Sequence, residues 1–260
     1  MFPLKDNIPL SRFPVVTVAT VLVNVVVYLL EIRHGGSFFG GPASSVTVHY
    51  GAIPYALTHP GAHCQVVERP TLQGVTQAIA CSIRPGSSSI PAWETVFSAM
   101  FMHGSFLHIF GNMLFLAIFG PNVEDAMTRP RYVLFYLLGG IVALGAQVLV
   151  SPDSTVPTIG ASGAIAAVLG GYILLYPRAR VLSLVFIVFF FTIIEVPAVF
   201  LLGFWFLEQL WFGLSGLTGP IGGGEGVAYF AHVGGFAFGL AAIRLFARRV
   251  RRPPPAPPVY

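Results

Sequence analysis

Between Tyr132 and Pro177 the chain carries a single charge, Asp153. About 20 apolar residues cross the hydrocarbon core of a bilayer, so a run of about 46 holds two crossings and a turn. The turn is Ser151-Pro152-Asp153-Ser154-Thr155-Val156-Pro157, where prolines and small polar residues break the apolar pattern. The whole chain follows the same rule. Of its 260 residues, 55% are hydrophobic and 9% charged, and the mean hydropathy is +0.78. A soluble domain uses about 25% charged residues to cover its surface. The chain therefore reads as a polytopic membrane protein.

Other charge-free runs are Phe13–Leu30, Thr95–Val123, Val181–Ile194 and Gly226–Ile243. They predict spans near 14–33, 101–120, 132–150, 159–176, 196–216 and 227–246, an all-α bundle of six transmembrane helices. Val181–Ile194 is short for a span and reads as an apolar approach to the fifth helix. The first run exceeds a signal-peptide core and no small-residue cleavage site follows, so it is expected to be a retained span. The organisation is then a segment 1–13, a helical domain 14–246 with a long loop 34–100, and a basic, proline-rich tail 247–260. The end of that tail, RPPPAPPVY, is expected to be extended.

Lys and Arg give the orientation. With both termini cytoplasmic, Lys5, Arg12, Arg129, Arg131, Arg178, Arg180, Arg244, Arg248, Arg249, Arg251 and Arg252 lie inside, and only Arg33, Arg69 and Arg84 outside. The positive-inside rule favours that arrangement. The loop 34–100 is then outer. It holds both cysteines, Cys64 and Cys81, which an oxidising compartment would bridge; two unpaired thiols are the alternative. The net charge of +4 is dispersed rather than gathered on a basic face with stacking aromatics, so nucleic acid is not an expected partner.

Polar groups inside spans are costly and often functional. Three places carry them. His108 and Asn112 are four apart and share one helix face in the second span. Ser162 opens the fourth, among Gly160, Gly163 and Ala164, with Ala167 continuing a small-residue edge. His232 lies in the sixth, three residues before Gly235, which with Gly239 forms a glycine-rich face. Two such small-residue faces pack closely in lipid, which would bring Ser162 to His232. On the predicted spans all four polar residues lie roughly 5 to 17 Å below the outer ends. A serine hydroxyl needs a base, and histidine suits that role. Asn112, His108 and the Ser162 backbone N–H would serve a developing oxyanion. No Asp or Glu in spans four or six is placed to orient His232, so a Ser–His dyad is expected. Taken alone, Ser162 would be helix-packing glue.

Together these motifs resemble the rhomboid family of intramembrane serine proteases. The resemblance rests on GASGA at 160–164, HxxxN at 108–112 and AHxxGxxxG at 231–239. It also rests on Tyr50–Pro54, Gly120–Asp125 and Tyr176–Val181, all in order between residues 13 and 246. It implies a six-helix core with a cavity open to the outer side and cleavage of peptide bonds in or near transmembrane segments, with no metal or cofactor. It implies Ser162 as nucleophile, His232 as base and later acid, and His108 and Asn112 as oxyanion-hole members. It implies membrane-protein substrates, membrane lipid as surroundings, and an entry between the second and fifth spans gated by about 196–216 under a glycine-rich cap at 218–228. A bacterial inner membrane is the expected location. Natural substrate and oligomeric state are not encoded in these motifs.

The sequence departs from the family pattern at Ala166, where some members carry an aromatic that stacks on the base histidine. His103 is expected to be structural or interfacial, near the outer end where water satisfies it. Glu124 and Asp125 are expected to bind loop amides on the inner side. Glu195 and Glu208 receive no role, and Trp205, Trp211, Phe186, Phe189, Phe190 and Phe191 are expected as lipid-facing or interfacial anchors. The alternative function is an inactive rhomboid-like protein that binds membrane clients. A transporter is disfavoured because no internal repeat occurs, and a zinc protease because no HExxH occurs.

Overall fold

The computed structural model describes residues 2–71, 74–83, 90–187, 190–218 and 227–248. In chain order the elements are β1 (Phe2–Asp6), α1 (Val15–Arg33), β2 (Gly36–Ser37), β3 (Gly41–Pro42), α2 (Ser44–Tyr50) and α3 (Pro54–Thr58). Then come β4 (Ala62–Thr71), β5 (Gly74–Ile83), α4 (Ala92–Ser98), α5 (Phe106–Asp125), α6 (Arg129–Val150) and α7 (Ser162–Leu175). The order closes with β6 (Arg180–Ile187), β7 (Phe190–Pro197), α8 (Ala198–Thr218) and α9 (Tyr229–Phe246). Residues 219–226 of the expected cap, Phe189 and the tail from 249 onward lie outside the described residues.

Among the described residues, α1, α5, α6, α8 and α9 are long and apolar enough to cross a membrane. The apolar helix α7 has 14 residues and is shorter than a full crossing. It is also the centre of the bundle: every residue from Gly163 to Tyr172 is buried. A helix surrounded on all sides has no polar face to show, which is why its sequence is apolar throughout. The outer helices instead leave large apolar side chains uncovered, Leu149 at 84% and Leu245 at 79% exposure among them. That surface suits lipid rather than water.

The expectation of an all-α chain is corrected by small antiparallel sheets. Val181–Ile194 is not a helical approach to the fifth span. It lies in a hairpin in which β6 and β7 pair from Arg180↔Pro197 to Ile187↔Phe190. The run is too short to cross as a helix and rich in Val, Ile and Phe, which favour the pleated conformation. β1 adds to β6 as a third strand, so the N-terminal segment is part of a sheet, in the order β1-β6-β7. In the 34–100 segment β4 and β5 form a ten-residue hairpin with Cys64 directly opposite Cys81. The two cysteines are disulfide-bonded.

The second span is displaced from its expected place. It begins at Phe106, not 101, and continues through Pro121 to Asp125. Residues 121–125, expected beyond the end of the span at 120, are its last turn. The charge at this end is accommodated by another helix. Glu124, 1% exposed, accepts hydrogen bonds from the Val16 N–H (3.1 Å), the Thr17 N–H (2.7 Å) and the Thr17 hydroxyl (2.8 Å). These are orphan donors of the first turn of α1, whose own N-cap is Pro14 with no side-chain cap. Glu124 thus caps a helix rather than binding loop amides. Asp125 accepts from Ser11 and pairs with Arg12 at 3.4 Å.

Beside it, Asp6 of β1 accepts from Asn122 Nδ2 (2.5 Å) and Tyr172 Oη (2.6 Å), and Tyr176 Oη donates to the Asn122 carbonyl (3.3 Å). Burial pushes the Asp6 carboxyl above the usual range, against the lowering effect of those hydrogen bonds. A carboxyl raised on folding contributes its full stability below its unfolded value and loses it as pH rises through the folded one. Asp6→Asn keeps an acceptor and removes the titration. Its melting temperature in detergent should therefore vary less between acidic and neutral pH than that of the parent, as scanning fluorimetry across pH will measure. Glu124→Ala, which leaves the Val16 and Thr17 N–H groups at the start of α1 without a partner, should cost at least about 1–3 kcal/mol and lower the melting temperature at every pH.

Candidate active site

Ser162 is the first residue of α7, and the residues before it are tied on two sides. Thr158 pairs with Ala52 through both backbone hydrogen bonds (2.8 and 3.2 Å), and the Gly160 N–H donates to the Ala99 carbonyl (2.8 Å). The Tyr50–Pro54 stretch, with Ala52 at its centre, thus holds the approach to Ser162 in place. Gly160 turns the chain into the helix with φ of +117°, a conformation that favours glycine. A methyl there would lie 2.7 Å from His108 Nε2. The expectation that Gly160 is a packing residue against the last helix is thereby corrected. Its smallness makes room for His108.

Gly163, Gly235 and Gly239 do pack. A methyl at Gly235 would land on the Gly163 carbonyl oxygen, one at Gly239 on the Ala167 carbonyl oxygen, and one at Gly163 against Ala143 of α6. Gly170, not anticipated, faces the Phe236 carbonyl in the same way. α7 and α9 therefore touch backbone to backbone. His232, in the first turn of α9, is brought to Ser162 with Nε2 2.8 Å from Oγ. Its other nitrogen, Nδ1, lies 2.7 Å from Gln209 Oε1 on α8.

His108 and Asn112 rise from the start of α5, whose N-cap Ser105 accepts from the His108 N–H. The Gly104 N–H donates to His108 Nδ1 at 3.3 Å. With Nδ1 an acceptor, Nε2 carries the proton and is a donor, on the side of Gly160. Asn112 is buried, and its Nδ2 has no hydrogen-bond partner. Ser162, His232, His108 and Asn112 line one cavity of about 490 Å³, together with Leu107, Phe115 and Trp205. On the α5 and α8 side, Leu107, which lines the cavity, is 76% exposed, and Phe204 is 71% exposed.

Such a site holds a hydroxyl on a base, beside a buried amide donor and an imidazole donor. Among the described residues no group of His, Cys, Asp and Glu could hold a metal ion. A family model of the Rhomboid domain matches residues 91–249, more than half the chain. The chain belongs to the rhomboid family. It is 28% identical to Rhomboid-like protein 11, chloroplastic, of Arabidopsis thaliana over 169 residues, 62% of this chain and 55% of that protein. It is also 28% identical to Rhomboid protein 1, mitochondrial, of Saccharomyces cerevisiae over 152 residues, 56% of this chain and 40% of that protein. The rhomboid chain thus spans about half the length of the curated relatives it matches.

Two expectations about neighbours change. Trp205 is not a lipid anchor: it lines the cavity, its ring 5.8 Å from that of His232 and tilted by 37°. With Ala166 offering only a methyl, α8 supplies the aromatic from a different direction. His103 is not at the interface. It is fully buried, its ring edge-on to His108 at 5.0 Å, its backbone N–H donating to Glu31 Oε2 (3.4 Å) and its Nδ1 3.2 Å from the Phe101 carbonyl. Burial first, with His108 second, pushes this imidazole down to about 3, so it is neutral. Gln209 was missed altogether. Its signal was an amide four residues after Trp205, on one face of an apolar helix.

Gly235→Ala and Gly239→Ala should each cost about 1–3 kcal/mol or more, since backbone atoms have to move apart. Gly145→Ala, where nothing lies within 4 Å of the added methyl, should be neutral or stabilising. Thermal unfolding of the three variants in one detergent compares them directly.

Proposed function

We propose that this rhomboid is an intramembrane serine endopeptidase that cleaves membrane-protein substrates in or near their transmembrane segments. The observation that carries the reading is the 2.8 Å contact between Ser162 Oγ and His232 Nε2 inside a cavity holding an unpartnered amide donor, Asn112 Nδ2. Ser162 Oγ attacks the scissile carbonyl carbon and its proton passes to His232 Nε2. The carbonyl oxygen becomes an oxyanion facing Asn112 Nδ2, His108 Nε2 and the Ser162 N–H at the open end of α7. The C–N bond then breaks as His232 returns the proton to the amine. Water, deprotonated by the same nitrogen, attacks the acyl carbon; the Oγ–C bond breaks as His232 returns the proton to Ser162 Oγ, and the acyl group leaves as a carboxylic acid that ionises.

Supporting the reading further, the spans are those of a membrane protein, and Lys and Arg weigh toward the side opposite Ser162. We read both termini as inside and the cavity as outside, in a six-helix core that includes α7. A substrate helix would enter between α5 and α8, past the exposed Leu107 that lines the cavity. The host membrane is a bacterial inner membrane or an organelle membrane, the two relatives being named chloroplastic and mitochondrial.

A fluorophosphonate probe should label Ser162, and the reconstituted protein should cleave a model transmembrane peptide. Ser162→Ala should abolish both. Asn112→Ala should keep labelling above background and lower kcat by about 10²- to 10³-fold, the usual cost of one oxyanion donor. Cleavage that survives Ser162→Ala would remove Ser162 from the role of nucleophile, and a parent that neither labels nor cleaves would return the protein to the class of client-binding, inactive rhomboid relatives.

A further inference from the structure

His232 engages both ring nitrogens, and only one of the contacts is used by the mechanism above. A neutral imidazole has one N–H and one lone pair. To take the Ser162 proton, Nε2 must hold the lone pair, so the N–H is on Nδ1. In a buried site that N–H needs an acceptor, or its desolvation goes uncompensated. Gln209 Oε1 lies 2.7 Å from it, on a side chain only 8% exposed. The opposite tautomer would set the Nδ1 lone pair against the amide oxygen and a second donor against the serine hydroxyl.

We propose that Gln209 is the positioning residue of the general base: its amide oxygen holds His232 in the Nδ1–H tautomer and in the ring orientation that aims Nε2 at Ser162. This rests on the reading of Ser162 and His232 as the catalytic pair. The site is then a Ser–His–Gln relay built from three helices, α7, α9 and α8. When His232 takes the proton, both nitrogens are donors, and Oε1 still accepts from Nδ1. A carboxylate in this role would be an ion buried in an apolar helix, which the bilayer makes costly. The amide supplies the acceptor without the charge. Trp205, one turn earlier on α8, covers the ring at 5.8 Å, so the same helix fixes both the proton and the plane of the base.

The test compares parent, Ser162→Ala, Gln209→Met and Gln209→Glu in the full chain. Readouts are the rate of fluorophosphonate labelling, kcat and KM on a model transmembrane peptide at pH 8, and the melting temperature. Met keeps the length and removes the acceptor; Glu has acceptor oxygens in the same reach. Gln209→Met should lower kcat and labelling rate together by about ten- to a hundredfold, the effect of one buried donor left unpaired, with KM within about twofold. Gln209→Glu should recover most of that loss. A purely structural glutamine would not separate Met from Glu, nor kcat from KM. Should Gln209→Met also melt lower, its labelling rate is taken per labelled molecule at saturation, and the Glu variant decides. Parent-like kcat in folded Gln209→Met, or equal damage in Met and Glu, overturns the proposal. A parent that neither labels nor cleaves overturns the catalytic reading itself, independently of position 209.

Discussion

The contact on which the site depends is the approach of α7 to α9. Glycines on each helix face carbonyls on the other: Gly235 meets Gly163, Gly239 meets Ala167, and Gly170 meets Phe236. In lipid there is no hydrophobic drive between helices, so contact of this kind rests on dispersion and on Cα–H···O contacts, both of which demand small residues. The reacting groups are placed next to it. Ser162 precedes Gly163 by one residue, and His232 precedes Gly235 by three. The 2.8 Å between Oγ and Nε2 is therefore set by backbone packing, which is stiffer than packing between long side chains.

A second constraint follows from where the helices begin. Ser162 is the first residue of α7, His108 the third of α5 and His232 the fourth of α9. Three N-terminal turns thus converge on one cavity. Each brings the positive end of a helix dipole. An oxyanion is the species such a place stabilises, and a cation is the species it disfavours. The neutral ground state of the base fits that field, and a neutral glutamine beside it adds no opposing charge.

Much of this was legible in the sequence because it rests on small residues and on spacing. GASGA, the Gly235/Gly239 pair and the His108/Asn112 face each encode a local geometry that survives errors of several residues in span ends. The depth of His108 illustrates this: it lies in the first turn of its helix rather than about seven residues down, yet it still reaches the cavity. The hairpin β6–β7 was not legible, because an unbroken apolar run has no period to choose strand from helix. Gln209 and Trp205 were not legible because their role depends on the rotation of α8 about its axis. An apolar helix of almost uniform hydropathy does not record that rotation. Glu124 was legible as polar, but a carboxylate that caps a distant helix leaves no mark at α1, whose cap position holds only Pro14.

The two ends of the bundle use buried polar groups in opposite ways. At one end, Glu124, Asp6, Asn122, Tyr172 and Tyr176 close on one another or on the α1 amides. A closed cluster recovers its desolvation cost within the folded state and so contributes stability. At the other end, Asn112 Nδ2 is buried with no acceptor, at a cost the fold itself does not repay. An open hydrogen bond alone does not mark a site, since Asn24 Oδ1, Tyr136 Oη and Gln147 Oε1 are also buried without a partner. What sets Asn112 Nδ2 apart is its place: it lines the cavity that holds Ser162 and His232.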